Sequence, residues 1–83
     1  MKFRAEINVM PLEALLDPQG RAVQASLQKM GLEGIENARI GKRITLVVEA
    51  VSEKKASETV ERACRELLHN PIVESYEFSL IKI

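Results

Sequence analysis

Residues 2–9 alternate strictly between polar and apolar side chains, and no other stretch constrains the fold of this chain as tightly. One face carries Phe3, Ala5, Ile7 and Val9, and the other carries Lys2, Arg4, Glu6 and Asn8. A period of two residues is that of a β-strand, in which successive side chains point to opposite faces of the sheet. The sequence therefore predicts that the chain begins with a half-buried strand.

A helix start follows in the sequence Asp17-Pro18-Gln19-Gly20-Arg21. Asp17 suits the N-cap, where its carboxylate accepts hydrogen bonds from the first turn, and Pro18 suits the first helical position because it lacks an N–H. Gly20 weakens a helix by about 0.5–1 kcal/mol relative to alanine. It is either a tolerated glycine, so that Gly20→Ala would be mildly stabilising, or the mark of a surface where another backbone comes close.

This first helix is predicted to end near residue 30 and to pack one face on a sheet. Its apolar stripe consists of Val23, Leu27 and Met30. Gly31 suits the left-handed position just after the helix, and Leu32 is placed to touch Leu27 in a Schellman closure. The connection before the helix, residues 10–16, carries Pro11 and three leucines and is either irregular or a short helical turn.

Two β segments are expected next. Residues 34–40 have few apolar side chains, which suggests a twisted or edge strand, whereas residues 43–51 give the strongest strand pattern of the chain. Gly41-Lys42 between them is typical of a tight hairpin in which the glycine supplies a positive φ. The two segments are therefore predicted to be antiparallel neighbours.

A second helix is predicted from Ser52, its N-cap, to about His69, and Asn70-Pro71 ends it because asparagine tolerates the left-handed conformation and proline cannot continue a helix. Its apolar stripe consists of Ala56, Val60, Ala63, Cys64, Leu67 and Leu68. A last strand from residue 72 to about 83 places Ile72, Tyr76, Phe78 and Leu80 on one face. Its other face is also partly apolar.

The element order is β-α-β-β-α-β, which predicts an α+β, ferredoxin-like two-layer sandwich with two helices on an antiparallel sheet. The 83 residues form one domain, 1–83. A chain of this length buries only about 60 % of its unfolded surface, so self-association is expected. Folds of this kind carry many unrelated functions, and the architecture alone does not assign an activity.

Composition argues against several classes of function. Twelve basic residues are interleaved with twelve acidic ones for a formal net charge of zero, and the chain has one Tyr, two Phe and no Trp. Nucleic-acid binding needs a basic surface and aromatic rings on which bases stack, so it is not expected. No apolar run approaches the ~20 residues that cross a bilayer. A cytoplasmic protein that binds no membrane is the expectation.

The residues that often carry chemistry offer little here. His69 is the only histidine and falls in the last turn of a helix, where it is a favourable partner of the negative helix end. Cys64, the only cysteine, lies on an apolar stripe, and a small buried thiol explains it better than a nucleophile does. The glycines do not form a phosphate-binding loop. An enzyme with its own active site is not expected.

Three motifs, in this order and spacing, resemble the PurS family, the small subunits of formylglycinamide ribonucleotide amidotransferase (phosphoribosylformylglycinamidine synthase). They are Asp17-Pro18-Gln19-Gly20, Arg39-Ile40-Gly41-Lys42 before a long apolar strand, and Leu67-Leu68-His69-Asn70-Pro71-Ile72-Val73-Glu74-Ser75-Tyr76. The resemblance extends over nearly the whole chain. Only the connection at residues 10–16 departs from it.

This resemblance implies a non-catalytic subunit of a three-part ligase of purine biosynthesis. In such a complex a glutaminase subunit releases ammonia, and a synthetase subunit uses ATP and magnesium to convert formylglycinamide ribonucleotide to the amidine. The small subunit, as a homodimer or as two dimers paired into a tetramer, bridges the two and supports ammonia transfer. It binds no cofactor or metal itself; ATP, magnesium and glutamine belong to the partner subunits.

The predicted partner interface has two parts, and two other functions stay open. The helix start contributes Asp17, Gln19, Gly20 and Arg21, and the hairpin turn contributes Gly41, Lys42 and Arg43. The first alternative is a stand-alone regulatory module similar to ACT domains, in which Gln19 and Gly20 would contact a small ligand. The second is a structural homodimer of unrelated purpose.

Overall fold

The structure, a computed structural model that describes residues 1–83, is built on a three-stranded antiparallel sheet. The strands are β1 (Lys2–Pro11), β2 (Lys42–Glu49) and β3 (Glu74–Lys82), in the spatial order β2-β1-β3. The helices are α1 (Pro18–Lys29) and α2 (Glu53–Ala63), and α2 continues into a π-helical turn at Cys64–Leu68. The predicted class of two helices and an antiparallel sheet is confirmed, with three strands in place of four.

The central strand β1 carries the core, as its alternation predicts. Phe3, Ala5, Ile7 and Val9 are all buried, and the side chains between them are not. Ile7 lies opposite Ile44 of β2 on one side and Phe78 of β3 on the other. Because both neighbours follow the same alternation, one continuous apolar face forms across the three strands.

Helix α2 covers this apolar face. Ser52 caps it by accepting a hydrogen bond from the Lys55 N–H at 3.2 Å, and Ala56, Val60 and Cys64 are fully buried against β1. The π-helical turn adds a residue to the last turn of the helix, so the side chains after it lose the α-helical register. Leu67, predicted to lie on the buried stripe, is therefore 81 % exposed.

Two side-chain contacts fix the end of α2 to β3. The Nδ1 of His69 donates to the Cys64 carbonyl at 2.6 Å, which confirms that this histidine binds the helix end. The Tyr76 hydroxyl donates to Glu61, and its ring lies edge-on to His69 with 4.5 Å between centroids. The hydrogen bond to the Glu61 carboxylate, and secondarily burial, raise the pKa of Tyr76.

The turn from α2 to β3 forms where it was predicted but with different geometry. Asn70 does not adopt a positive φ; its side chain instead accepts from the Ile72 N–H at 3.1 Å, while its carbonyl accepts from Glu74 at 2.8 Å. Residues 71–73 are consequently a turn, and β3 begins at Glu74. Ile72, predicted to lie on the inner face of the strand, is 79 % exposed.

The strand predicted at residues 34–40 does not form, and the prediction of a hairpin at Gly41-Lys42 is wrong. The segment makes no backbone hydrogen bond to β2, whose outer edge stays unpaired in the order β2-β1-β3. Gly41 does not have a positive φ. Polar side chains instead hold the segment beside α1: Gln24 accepts from the Ala38 N–H at 2.9 Å, and Asp17 accepts from the Ile40 N–H at 2.8 Å.

Helix α1 begins and ends as predicted, but it does not pack on the sheet. Gly31 has φ +82°, and the Leu32 N–H donates to the Leu27 carbonyl at 3.3 Å, as in a Schellman closure. Only Gly20 is buried in this helix, and Val23 and Met30 are 40 % and 71 % exposed. The predicted apolar stripe therefore exists without a surface of this chain to cover it.

Asp17 joins α1 to the segment that leads into β2. One carboxylate oxygen accepts from the Gly20 N–H at 3.0 Å, and the other accepts from the Ile40 N–H at 2.8 Å. Asp17 is buried, and the Arg39 guanidinium lies 3.9 Å away. These contacts, the Ile40 bond above all, lower the pKa of Asp17 from its ordinary value of 3.8, although burial opposes them.

Gly20 lies where two parts of the backbone meet. A Cβ atom built there would lie 2.2 Å from the Ala38 carbonyl oxygen and 2.7 Å from the Asp17 carboxylate. The interpretation of a close backbone approach is therefore confirmed, and the approaching backbone belongs to the same chain. The expectation that Gly20→Ala is mildly stabilising does not hold in this geometry.

We expect Gly20→Ala to destabilise the chain by about 1–3 kcal/mol, because the helix must move away from Ala38 to admit a methyl group. Urea unfolding followed by circular dichroism measures the change. Ser26→Ala, at an exposed position of the same helix, is the control and should stay within about 0.5 kcal/mol of the unmodified chain. A stabilised Gly20→Ala variant would contradict the observed packing.

We also expect Asp17 to make stability depend on pH in the acid range. A carboxyl group whose pKa is lower in the folded than in the unfolded chain stabilises the fold above its unfolded pKa, and that stabilisation is lost as the pH falls through the folded pKa. Asp17→Asn should therefore lower the free energy of unfolding at pH 6 and have progressively less effect towards pH 2–3. Urea unfolding across this range measures both chains. Glu33→Gln, at an exposed carboxylate, serves as the control; an Asp17→Asn deficit that is constant with pH would refute the prediction.

Candidate partner-binding site

Four of the seven predicted interface residues line one groove. Asp17, Gln19, Gly41 and Lys42 surround a groove of about 310 Å3, together with Pro11, Leu16, Pro18, Ile40 and Glu74. The groove lies where the first turn of α1 meets the start of β2. We refer to it as the α1–β2 groove.

The Asp17 bond to Ile40 brings these two elements together, and Gly41 permits the contact. A Cβ atom at Gly41 would lie 2.4 Å from the Val9 carbonyl oxygen and would overlap the Met10 sulfur atom. Gly41 is thus needed because β1 passes so close to it, and not for the positive φ of a hairpin. Both predicted motifs therefore contribute glycines that permit intrachain backbone contacts.

The accessible part of the α1–β2 groove combines charge with apolar surface. The mostly buried carboxylate of Asp17 lines one side of the groove. Its lowered pKa keeps it charged at neutral pH. Lys42 and Gln19 are exposed at the rim, and Leu16 presents an apolar side chain that is 67 % exposed. A rim of this mixed character suits contact with another protein surface.

The remaining three predicted residues lie elsewhere. Gly20 is buried, so it cannot contact a partner or a small ligand directly. Arg21 lines a neighbouring groove of about 490 Å3 that also contains Gln24 and Arg39. Arg43 lies on the outer face of the sheet, where its Nη2 is 2.9 Å from the Glu6 carboxylate. The charges of Lys42 and Arg43 therefore lie on different surfaces of the chain.

Arg39, for which the sequence predicts no individual role, holds the site together. Its guanidinium donates to the carbonyls of Leu12 at 2.7 Å and Leu15 at 3.2 Å, and lies near Asp17. It thereby fixes the leucine-containing connection at residues 10–16 above the groove. The arginine stood in a recognised motif, but nothing in the sequence indicates that its partners are loop carbonyls.

Of the two side chains considered for catalysis, that of His69 is hydrogen-bonded to a backbone carbonyl and that of Cys64 is buried. Cys64 is fully buried, and burial raises the pKa of its thiol, which disfavours the thiolate needed for nucleophilic attack. No group of three or more His, Cys, Asp or Glu side chains is arranged to hold a metal ion. No helix is both long and apolar enough to span a bilayer.

Known proteins match this chain over nearly its full length. The sequence model of PurS, phosphoribosylformylglycinamidine (FGAM) synthase, matches residues 4–82. The FGAM synthase subunit PurS of Synechocystis is 40 % identical over 94 % of this chain and 78 % of its own. That of Thermotoga maritima is 40 % identical over 90 % of this chain and 92 % of its own.

Solved structures of the same family have the same fold. The PurS subunit crystal structure from Thermotoga maritima superposes with a TM-score of 0.90 at 39 % identity and covers 98 % of this chain and 93 % of its own. A chain in the structure of PurLQS from the same organism gives a TM-score of 0.91 at 37 % identity over 98 % and 99 %. With a sequence match at residues 4–82 and this structural agreement, the chain belongs to the PurS family of FGAM synthase subunits.

Proposed function

We propose that this chain is the small subunit of a three-part FGAM synthase, a ligase of purine biosynthesis, and that it bridges the glutaminase and synthetase subunits. The observation that carries the proposal is the agreement with a chain of PurLQS from Thermotoga maritima over 98 % of this chain. A bridging role also fits a molecule whose distinctive surfaces are grooves and uncovered apolar faces.

In this proposal the reaction takes place in the partner subunits. Glutamine is hydrolysed by the glutaminase, and the synthetase uses ATP and magnesium with the released ammonia. This chain supplies contact surface that keeps the two sites together and supports the passage of ammonia; it binds no cofactor or metal. The assembly operates in the cytoplasm, where its substrates are made.

We propose further that the chain works as a homodimer. Its radius of gyration is 16.4 Å, whereas a compact chain of this length has about 12 Å. Its accessible surface is 6106 Å2, against about 5000 Å2 for a folded monomer of this mass. The difference is of the order of the ~800 Å2 that each partner buries in a standard interface. The exposed apolar stripe of α1 supplies the apolar part of this excess accessible surface.

Reconstitution tests the proposal. Purified glutaminase and synthetase subunits should form FGAM from glutamine only when this chain is added, while synthesis from ammonium salts should proceed without it, because only the glutamine reaction needs the subunits held together. Product formation with each nitrogen source measures this. Equal glutamine-dependent rates with and without the chain would refute the proposed role.

Lys42 and Arg43 should differ in their contribution to assembly. Lys42→Ala removes an exposed charge at the α1–β2 groove and should weaken binding to the partner subunits several-fold, whereas Arg43→Ala removes a charge from the outer sheet face and should change binding little. Analytical size-exclusion and titration calorimetry with glutamine and ADP present measure assembly. Lys54→Ala, an exposed lysine in the first turn of α2, is the control. Equal effects of Lys42→Ala and Arg43→Ala would exclude the groove as the contact.

A further inference from the structure

A second groove, of about 490 Å3, lies between α1 and residues 36–39; we call it the Arg21 groove. Its volume falls within the range of about 300–1,000 Å3 that is typical of small-ligand sites. Side-chain hydrogen bonds hold its two walls together: Gln24 accepts from the Ala38 N–H at 2.9 Å, and Gln28 donates to the Ile35 carbonyl at 3.4 Å. The groove is therefore a fixed feature of the fold.

Two charged side chains in the Arg21 groove have no partner within the chain. The Arg21 guanidinium, on α1, and the Glu36 carboxylate, on the facing segment, make neither an ion pair nor a hydrogen bond. The other two charges of the groove are engaged, since Arg39 donates to loop carbonyls and Asp17 accepts from two backbone N–H groups. A bound molecule would thus meet one available cation and one available anion.

The amide side chains of the groove also keep free donors and acceptors. Gln24 uses only its oxygen and Gln28 only its nitrogen, so the Nε2 of Gln24 and the Oε1 of Gln28 have no partner within the chain. Asn37 lines the groove, its side chain makes no hydrogen bond, and its backbone is left-handed, with φ 58°. Residues other than glycine are uncommon in this conformation and concentrate at functional sites.

These groups are ordered along the groove. Arg21 and Gln24 lie three positions apart on α1, so their donors are neighbours on one helix face. Residues 35–40 run in the direction opposite to the helix, because Ile40 is bound at its start and Ile35 near its end. Glu36 therefore lies towards Gln28, which is about 10 Å along the helix axis from Arg21. Cationic and amide donors line one end of the groove, and acceptors line the other.

We propose that the Arg21 groove binds a free α-amino acid with a neutral amide side chain, such as glutamine. The ligand carboxylate accepts from the Arg21 guanidinium and from the Gln24 amide. The ligand ammonium donates to the Glu36 carboxylate and to the Gln28 oxygen, and the side-chain amide pairs with that of Asn37. This inference goes beyond the proposed function and does not depend on it.

Charge explains why a zwitterion fits better than an ion. The side chains that line the groove include two basic and two acidic residues, so their formal charges sum to zero. A purely anionic ligand would leave Glu36 facing a like charge, and a purely cationic ligand would do the same to Arg21. Guanidinium and carboxylate groups form short, charge-assisted hydrogen bonds with the opposite charges of an amino acid.

Titration calorimetry of the full chain with L-glutamine tests the inference. One molecule should bind per chain with a Kd of about 1 mM or tighter. N-Acetyl-L-glutamine, which has no ammonium group, and L-glutaminamide, which has no carboxylate, should each bind about tenfold more weakly, because each loses a charge-assisted hydrogen bond. Absence of saturable glutamine binding, or equal binding of the three compounds, would overturn the inference.

Two variants assign the ends of the groove. Arg21→Gln should bind L-glutamine about tenfold more weakly but L-glutaminamide as before, because that compound offers no carboxylate to Arg21. Glu36→Gln should show the same pattern with N-acetyl-L-glutamine. Both side chains lack partners in the chain, so urea unfolding should be unchanged. Lys29→Gln, exposed in the last turn of α1 and outside the groove, is the control. Glutamine binding that neither groove variant weakens would overturn the assigned site.

Discussion

The buried carboxylate of Asp17 is the interaction on which the arrangement of this chain depends. It caps α1 through the Gly20 N–H and holds residues 35–41 through the Ile40 N–H, so a single side chain fixes both the helix and the start of β2. A largely buried carboxylate that accepts two backbone N–H groups is held more firmly than a surface ion pair. The α1–β2 groove forms where this junction brings the first turn of α1 against the start of β2.

Much of the fold could be predicted because local pattern and tertiary packing agree. The alternation of residues 2–9, the Ser52 cap and the Gly31 closure each describe a local geometry that the structure repeats. The predictions that failed depend on distant parts of the chain. Residues 34–40 were predicted to pair with the strand that follows them, but Gln24 and Asp17 hold them beside α1 and the outer edge of β2 stays unpaired. A sequence pattern does not say which strands will pair.

The candidate site was predictable only in part, for the same reason. The two glycine-containing motifs were recognised, and their meeting in one groove was not, since it depends on Asp17 reaching Ile40 across 23 positions of the chain. No individual role was predicted for Arg39, because its partners are backbone carbonyls of a loop. Every residue carries a backbone carbonyl, so no sequence pattern singles these out. Gly20 was correctly singled out for a close backbone approach, whereas Gly41 was wrongly assigned the positive φ of a hairpin; the backbones that approach them are those of Ala38 and Val9.

The two mispredictions about packing have a common physical origin. An apolar helix stripe and a strand-like segment both require neighbours, and in a monomeric ferredoxin-like domain each would find them in its own sheet. Here α1 and residues 35–41 lie beside each other without packing on the sheet, and the chain has a radius of gyration of 16.4 Å. A small chain gains stability by moving such surfaces into contact with another molecule, because its own core is too small to cover them. Under the proposed subunit role, these uncovered surfaces are the places where contact with a partner would stabilise the chain most.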